Sequence, residues 1–415
     1  MGHWNGTLAA VRELGRRGIE VYVASSRALA QARWSRYALR RLSSPDERDS
    51  ARYAEWLLKL GEREPGIALL HTSDNSAFVH AERERDLARH FLLATPGLAA
   101  LREILDKERL QEQAARIGLR TPRTVFPADA AEAQALVSAV PWPIVIKQRT
   151  QVCSRTMHKG TPVRDSANLS AAYAKFRELN RFEPEVLAQW PGVDRPMLQE
   201  YLPQCSTSIY CLAGFISPGG GHWATRAALK VLSNPRHLGV GLLFEHTEVL
   251  PALEERVLGL CRAVGYHGVF QCEFLVLGAE RLLIDFNPRF YNYMAFDHAR
   301  GLPQAYLAYL LAIGAHDELQ AEIERARTAP PGVERIVYTD RLGTWTQLYL
   351  ERLLRRITGE EVARRRAWRK SAGTTIDPLW VRGDAGPGVM DVLVRLQNLA
   401  RHPRHFFRMN TRKPF

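Results

Sequence analysis

Cysteine is scarce and unpatterned. The chain's five cysteines (Cys153, Cys205, Cys211, Cys261 and Cys272) include no Cys-x-x-Cys pair, and an odd handful in 415 residues does not build a disulfide framework. Reduced thiols in a cytoplasmic protein are the expectation. No apolar run approaches the roughly 18 residues needed to cross a bilayer, which argues against a membrane-spanning protein. The segment Met1-Gly2-His3-Trp4-Asn5-Gly6-Thr7 lacks the charged-then-apolar pattern of a secretory leader. Internal repeats and low-complexity tracts are missing too, so a repeat array is excluded.

What is present is an ordinary globular composition. The 46% hydrophobic and 24% charged residues can bury a substantial core, and the length suits roughly two to four domains. The net charge of +13 is uneven: residues 351–415 hold 15 Lys/Arg against 6 Asp/Glu, or +9 of the total. A basic excess suits nucleic acid, a membrane surface or acidic small molecules. Here it is mostly a property of the tail, where Trp368, Trp380, Phe406 and Phe407 interleave with arginines. A plainly solvated basic helix accounts for the same pattern.

The stretch from Gln271 to Arg289 carries the densest chemistry. Apolar runs on either side of Gly278-Ala279-Glu280-Arg281 predict two strands joined by a tight hairpin. Strand alternation puts Asp285 and Asn287 on one face, with Glu273 on the partner strand in a position to lie opposite. Two carboxylates and an amide oxygen form an all-oxygen set suited to Mg²⁺. Arg289 follows, a fixed cation able to grip phosphate or carboxylate with two hydrogen bonds.

The rest of the chain alternates helix and strand. A helix over 7–17, stopped by Gly18, leads to a strand over 19–24, the second half of a βαβ unit whose first strand is not found in residues 1–6. A helix (52–61), a strand (67–71) and a helix (76–89) continue the alternation. Thr72-Ser73-Asp74-Asn75 falls at the strand's carboxyl end, either a ligand contact or a helix cap. A helix is expected over 98–117 with Leu105-Asp106-Lys107-Glu108 inside it. Ile144-Val145-Ile146 reads as a buried strand ending on Lys147, and basic residues 149–160 as a mobile loop over an anion or a plain hairpin. Met197 to Pro203 is a hinge-like strand, and Ser217 to Gly221 a turn between antiparallel strands. A helix over 251–264 and an apolar helix over 302–313 flank the hairpin. Beyond a linker at Thr328 to Gly332 come one strand-like piece, a basic helix over 346–370 and a last helix.

Taken in order, Asp106-Lys107, Pro143-Ile144-Val145-Ile146-Lys147, Leu198-Gln199-Glu200-Tyr201-Leu202-Pro203, Gly268 to Phe274 and Ile284-Asp285-Phe286-Asn287-Pro288-Arg289 resemble the ATP-grasp superfamily, most closely its carboxylate-amine ligases. The match covers roughly residues 7–313. The resemblance implies an α/β and α+β protein with four parts: an N-terminal Rossmann-like domain (1–95) lacking its first strand, a small lobe with its lead-in helix (96–200), a large lobe with the metal site (201–315) and a mainly helical basic extension (316–415). It also implies roles. Lys107 and Lys147 would hold ATP phosphates, and Glu200 with the backbone of Tyr201 and Leu202 would meet the adenine. Glu273, Asp285 and Asn287 would bind Mg²⁺, while Lys230 and Arg289 would steady the transferring phosphoryl group. The expected activity joins a small carboxylate to an amine through an acylphosphate, with ADP and phosphate released. Other nucleophiles, carboxylation, and nucleotide binding without turnover by a protein docked through its tail stay open, as does a homodimer. Three departures from the family pattern stand out: Asp285 occupies a place commonly held by glutamate, Gln204-Cys205-Ser206-Thr207-Ser208 offers no acid for the ribose, and the first strand with its glycine-rich turn is missing.

Overall fold

The computed structural model describes residues 5–155, 160–205, 208–234, 239–329 and 335–401. The parts of the expected loop, linker and tail that include His158, Lys159, Pro330, Pro331, Gly332, Phe406 and Phe407 lie outside them.

The N-terminal block is an α/β unit whose four strands form two separate parallel pairs. Helix Asn5–Arg16 buries Leu8, Val11 and Leu14, and Gly18, at φ 77°, turns the chain into β1 (Val21–Ser25). β2 (Ala38–Ser43) pairs parallel with β1 although no periodicity announced it: the run Leu39-Arg40-Arg41 is fully exposed, so the strand has no apolar face to read. β3 (Ile67–Leu69) pairs parallel with β4 (Phe91–Leu93). Ser73 caps helix Asp74–Glu82 in a reciprocal capping box with Ser76.

The long helix expected over 98–117 is two helices, Leu98–Leu105 and Lys107–Arg116, hinged at Asp106. At φ −91° and ψ 117°, Asp106 leaves helical geometry and accepts a hydrogen bond from the Glu108 N–H, which makes it the cap of the second helix. Its carboxylate is fully buried, and Arg149 (2.6 and 3.1 Å) and the Trp190 indole (3.0 Å) complete its shell. Lys107 is thereby the first residue of a helix rather than one in its middle.

Two sheets follow, antiparallel except for one parallel pairing at the edge of the larger. The smaller contains β5 (Thr124–Val125), β6 (Ile144–Lys147), β7 (Thr161–Val163) and β8 (Met197–Glu200) in the order β5-β8-β6-β7. The larger runs β13-β12-β9-β10-β11-β14-β15, with β9 (Ile209–Ile216), β10 (Trp223–Asn234), β11 (Val240–Thr247), β12 (Gly268–Leu277), β13 (Glu280–Asn287), β14 (Ile336–Thr339) and β15 (Thr374–Ile376). Central β9 is buried at every position, and the helices Pro251–Val264 and Gln304–Ala312 contribute to the two hydrophobic clusters that cover the sheet's faces. All five cysteines are buried and none is paired.

The C-terminal segment is built into this frame. β14 pairs with β11, so residues beyond the expected linker finish the large sheet. The basic helix expected over 346–370 is two, Arg341–Leu353 and Gly359–Lys370, broken near Arg355, whose φ is +54°. Several of its arginines are engaged: Arg366 and Arg369 lie over the Trp345 ring, and Arg365 pairs with Glu361. The buried Arg12–Asp384 ion pair (2.6 Å) ties the first helix to the tail, and Gln31 bonds Asp391. Among the described residues no helix is long and apolar enough to cross a membrane.

These contacts predict that a chain ending at residue 329 loses roughly 3–5 kcal/mol from the broken Arg12–Asp384 pair alone, besides the exposed edge of β11. Urea denaturation curves of the full chain and of this truncation check the expectation.

Candidate active site between the sheets

The hairpin folds in the register that strand alternation requires. Its turn is Gly278-Ala279, with Gly278 at φ 59°, and the ladder sets Glu273 opposite Asp285 and Gln271 opposite Asn287. A bulge after Glu273 twists the strands just beyond these pairs. The four polar side chains therefore share one face, and each faces a cavity of about 990 Å³.

Cations reach the same cavity from several elements. Lys107, at the start of its helix, lies 2.5 Å from the Asp285 carboxylate. Lys230 on β10 is almost wholly buried and lies 2.6 Å from Glu273. Lys147, at the end of β6, donates to the Gln199 side chain at 3.1 Å. Arg289 donates to Asn287 Oδ1 and to Asp74 Oδ1, each at 2.7 Å, and so joins the hairpin to the N-terminal block. Asn287 in turn donates to Gln271 at 2.7 Å, which fixes its amide between two neighbours.

The electrostatics follow from these distances. Burial favours the neutral acid at Asp285, but Lys107, then Lys147 and Arg289, outweigh it and hold its carboxyl down to about 2. Burial works against the Lys230 ammonium, yet Glu273 beside it raises its pKa above the ordinary value. Glu47 is the opposite case. Enclosure at the cavity's N-terminal side pushes it up to about 7 in spite of hydrogen bonds with Ser73 and Asn75.

Of the residues singled out in the sequence, Lys107, Lys147, Lys230, Glu273, Asp285, Asn287 and Arg289 line one cavity. Glu200, Tyr201 and Leu202 lie outside its lining. The Glu200 carboxylate turns to the Arg123 backbone N–H at 2.8 Å, and the Tyr201 N–H bonds the Pro143 carbonyl. In the basic loop after β6, Arg149 is held by Asp106 and Glu108, and Arg155 by Glu183. Thr72 to Asn75 divides its work: Ser73 caps, Asp74 holds Arg289, and Asn75 accepts the Cys153 N–H at 2.7 Å. Sequence reasoning missed Gln199, Gln271 and Glu47. The first two were legible in principle as same-face neighbours, two residues from Met197 and Glu273, whereas Glu47 sits in a polar loop with no pattern.

A metal fits here only in partnership. Among the described residues no group of three or more His, Cys, Asp and Glu converges as a ready-made ion site. The facing Glu273 and Asp285 carboxylates with the Asn287 amide are a partial oxygen set, suited to a hard cation whose other ligands arrive on a phosphate.

No protein-family model matches the chain, and no curated protein sequence does. Solved structures do. Biotin carboxylase from Campylobacter jejuni superposes with a TM-score of 0.58 at 16% identity, covering 75% of this chain and 69% of that one. L-amino acid ligase from Bacillus licheniformis gives 0.57 at 13%, over 80% and 75%. N5-carboxyaminoimidazole synthetase from Staphylococcus aureus gives 0.59 at 13%, over 82% and 81%. The chain therefore has the ATP-grasp fold. Within that fold it is a variant whose N-terminal strands stand in two separate pairs and whose tail completes the large sheet.

Two outcomes are expected. Lys230→Met strands the Glu273 carboxylate and costs about 3 kcal/mol, most of it recovered in the Lys230→Met/Glu273→Gln double variant, as a double-mutant cycle in urea will show. Because the Asp285 carboxyl lies near 2 in the folded chain against an ordinary 3.8, its pairing stabilises the protein above about pH 4 and that contribution fades as pH falls toward 2. Asp285→Asn accordingly flattens the acid limb of the stability curve in that window.

Proposed function

We propose that the protein is an ATP- and Mg²⁺-dependent ligase that joins a small carboxylate to an amine through an acylphosphate, releasing ADP and phosphate. The observation that carries this reading is the convergence of Lys107, Lys147, Lys230 and Arg289 on the facing Glu273–Asp285 pair in one cavity. The likeness in fold to L-amino acid ligase and biotin carboxylase supports it.

The chemistry asks for this residue set. A carboxylate resists attack by an amine because it is anionic and its oxygen leaves poorly; a mixed anhydride with phosphate removes both obstacles. Phosphoryl transfer needs positioning and charge neutralisation rather than a protein nucleophile. Glu273, Asp285 and Asn287 would hold Mg²⁺, which would supply charge neutralisation to the phosphates when bound. In this reading Lys107 and Lys147 exchange their present partners, Asp285 and Gln199, for ATP phosphates. Lys230 and Arg289 neutralise the phosphoryl group in transit, and the β8 end, Glu200 with the Tyr201 and Leu202 backbone, meets the adenine. Residues 149–160 are the cover that keeps water from the acylphosphate.

A second reading, nucleotide binding without turnover, is favoured by one observation. The Glu200 carboxylate is already bonded to Arg123, and no acid follows at Gln204 or Cys205 to meet a ribose. In that reading the basic tail serves for docking to a membrane surface or nucleic acid.

ADP release with Mg²⁺ across a panel of amino acids and small carboxylic acids separates the two. A ligase shows release stimulated by one particular carboxylate and amine together. Asp285→Ala then lowers kcat by at least about 10²-fold, the scale of a lost charge-stabilising group. Tight ATP binding with no stimulation by any pair identifies the second reading.

A further inference from the structure

The C-terminal helices turn an apolar stripe outward. Helix Arg341–Leu353 carries Trp345, Tyr349 and Leu353 at successive spacings of four residues, which puts them on one face. The Trp345 and Tyr349 rings lie 6.2 Å apart, and Arg366 from helix Gly359–Lys370 stands within 5.7 Å of each ring centre. Leu353 is 76% and Leu354 46% exposed, so the stripe ends in a bare aliphatic tip. Contiguous apolar surface of this kind marks an interaction site. The helix closes on two bonds, from the Arg355 N–H to the Arg352 carbonyl and from the Arg356 N–H to the Glu351 carbonyl. Such a closure commonly places glycine in the left-handed position, but here Arg355 holds it, at φ 54°.

The rim of this tip is cationic. Residues 341–370 hold nine Lys/Arg against three Asp/Glu. Of those acids Glu351 is buried and bonded to Gln347, and Glu361 is taken up by Arg364 and Arg365. Among the described residues Arg352, Arg355, Arg366 and Arg369 take part in no ion pair. We propose that this face, with Tyr349, Leu353 and Leu354 beside Arg352, Arg355 and Arg366, docks the protein on an anionic lipid bilayer. The leucines enter the acyl boundary, the tyrosine sits at headgroup depth, and the arginines meet lipid phosphates. Attachment is peripheral, since no described helix is long and apolar enough to span the bilayer.

Charge and ring geometry select lipid over other partners. Single-stranded nucleic acid needs open ring faces for its bases, but Arg366 and Arg369 already stand over Trp345, and Arg366 over Tyr349. Bare leucines offer a phosphodiester chain nothing. A second copy meeting this face across a two-fold axis sets the same arginines against one another, and like charges repel. A bilayer with acidic lipids satisfies both halves of the face at once, apolar tip and cationic rim. None of these residues lines the hairpin cavity, so the inference stands whether or not the protein is a ligase.

The test is flotation of the full chain with vesicles of phosphatidylcholine alone and of phosphatidylcholine mixed with phosphatidylserine. The protein floats with the mixed vesicles only, and added salt weakens the attachment. Leu353→Ser/Leu354→Ser lowers the affinity for mixed vesicles by at least about tenfold, through lost apolar insertion, while Leu353→Met/Leu354→Met keeps it. Arg352→Gln/Arg355→Gly also lowers it by at least about tenfold, through lost attraction to the acidic surface. All of these side chains are exposed and glycine suits the left-handed position, so the variants keep the urea midpoint of the parent. Failure of the full chain to float with mixed vesicles overturns the proposal. So does a Leu353→Ser/Leu354→Ser variant that floats as well as the parent, which assigns the attraction to charge elsewhere. A single-stranded oligonucleotide bound more tightly than the vesicles, and equally by that variant, overturns it in favour of nucleic acid. No readout depends on ATP turnover.

Discussion

A single buried carboxylate holds the functional half of this molecule in register. Asp106 is out of contact with solvent and must be compensated, and it is compensated by groups from three parts of the chain: the backbone of its own helix, the Arg149 guanidinium just after β6, and the Trp190 indole. An isolated charge at such a place is costly, whereas one surrounded by donors is stable and fixes the geometry of all of them. The adjacent Lys107 backbone N–H bonds the Arg149 carbonyl, so the helix bearing one cavity lysine is tied to the loop that follows the other.

From it the rest of the site can be read as a chain of pairings across one face. Lys107 answers Asp285, Lys230 answers Glu273, and Arg289 answers Asp74. Each of these three cations thus lies within hydrogen-bonding distance of an acid on a neighbouring element. The arrangement also accounts for a site with high charge density inside a stable fold, since each desolvated group has a partner within hydrogen-bonding distance.

Much of this was legible before the structure. Strand period fixed which hairpin residues share a face, and the Glu273–Asp285 pairing followed once Gly278 set the turn. What was not legible depended on distant partners. Nothing local breaks a helix at Leu105-Asp106-Lys107; the break is stabilised by Arg149 and Trp190, far along the chain. β2 escaped notice because Leu39-Arg40-Arg41 is exposed, whereas the strand after the linker was expected and only its pairing with β11, a tertiary matter, was not. The Glu200 side chain is directed by the Arg123 amide, a contact between β8 and the segment leading into β5, which strand periodicity does not specify.

The pair between Arg12 and Asp384 sets an order on the life of the chain. Helix Asn5–Arg16 carries a guanidinium whose buried partner lies 372 residues further along the chain. Until that partner is made the N-terminal unit keeps a cation without its counter-charge, and the last strands of the large sheet do not yet exist. Contacts of such long range slow folding and lengthen exposure of apolar surface. The pair therefore acts as a latch that closes only once both of its distant helices and loops have been made.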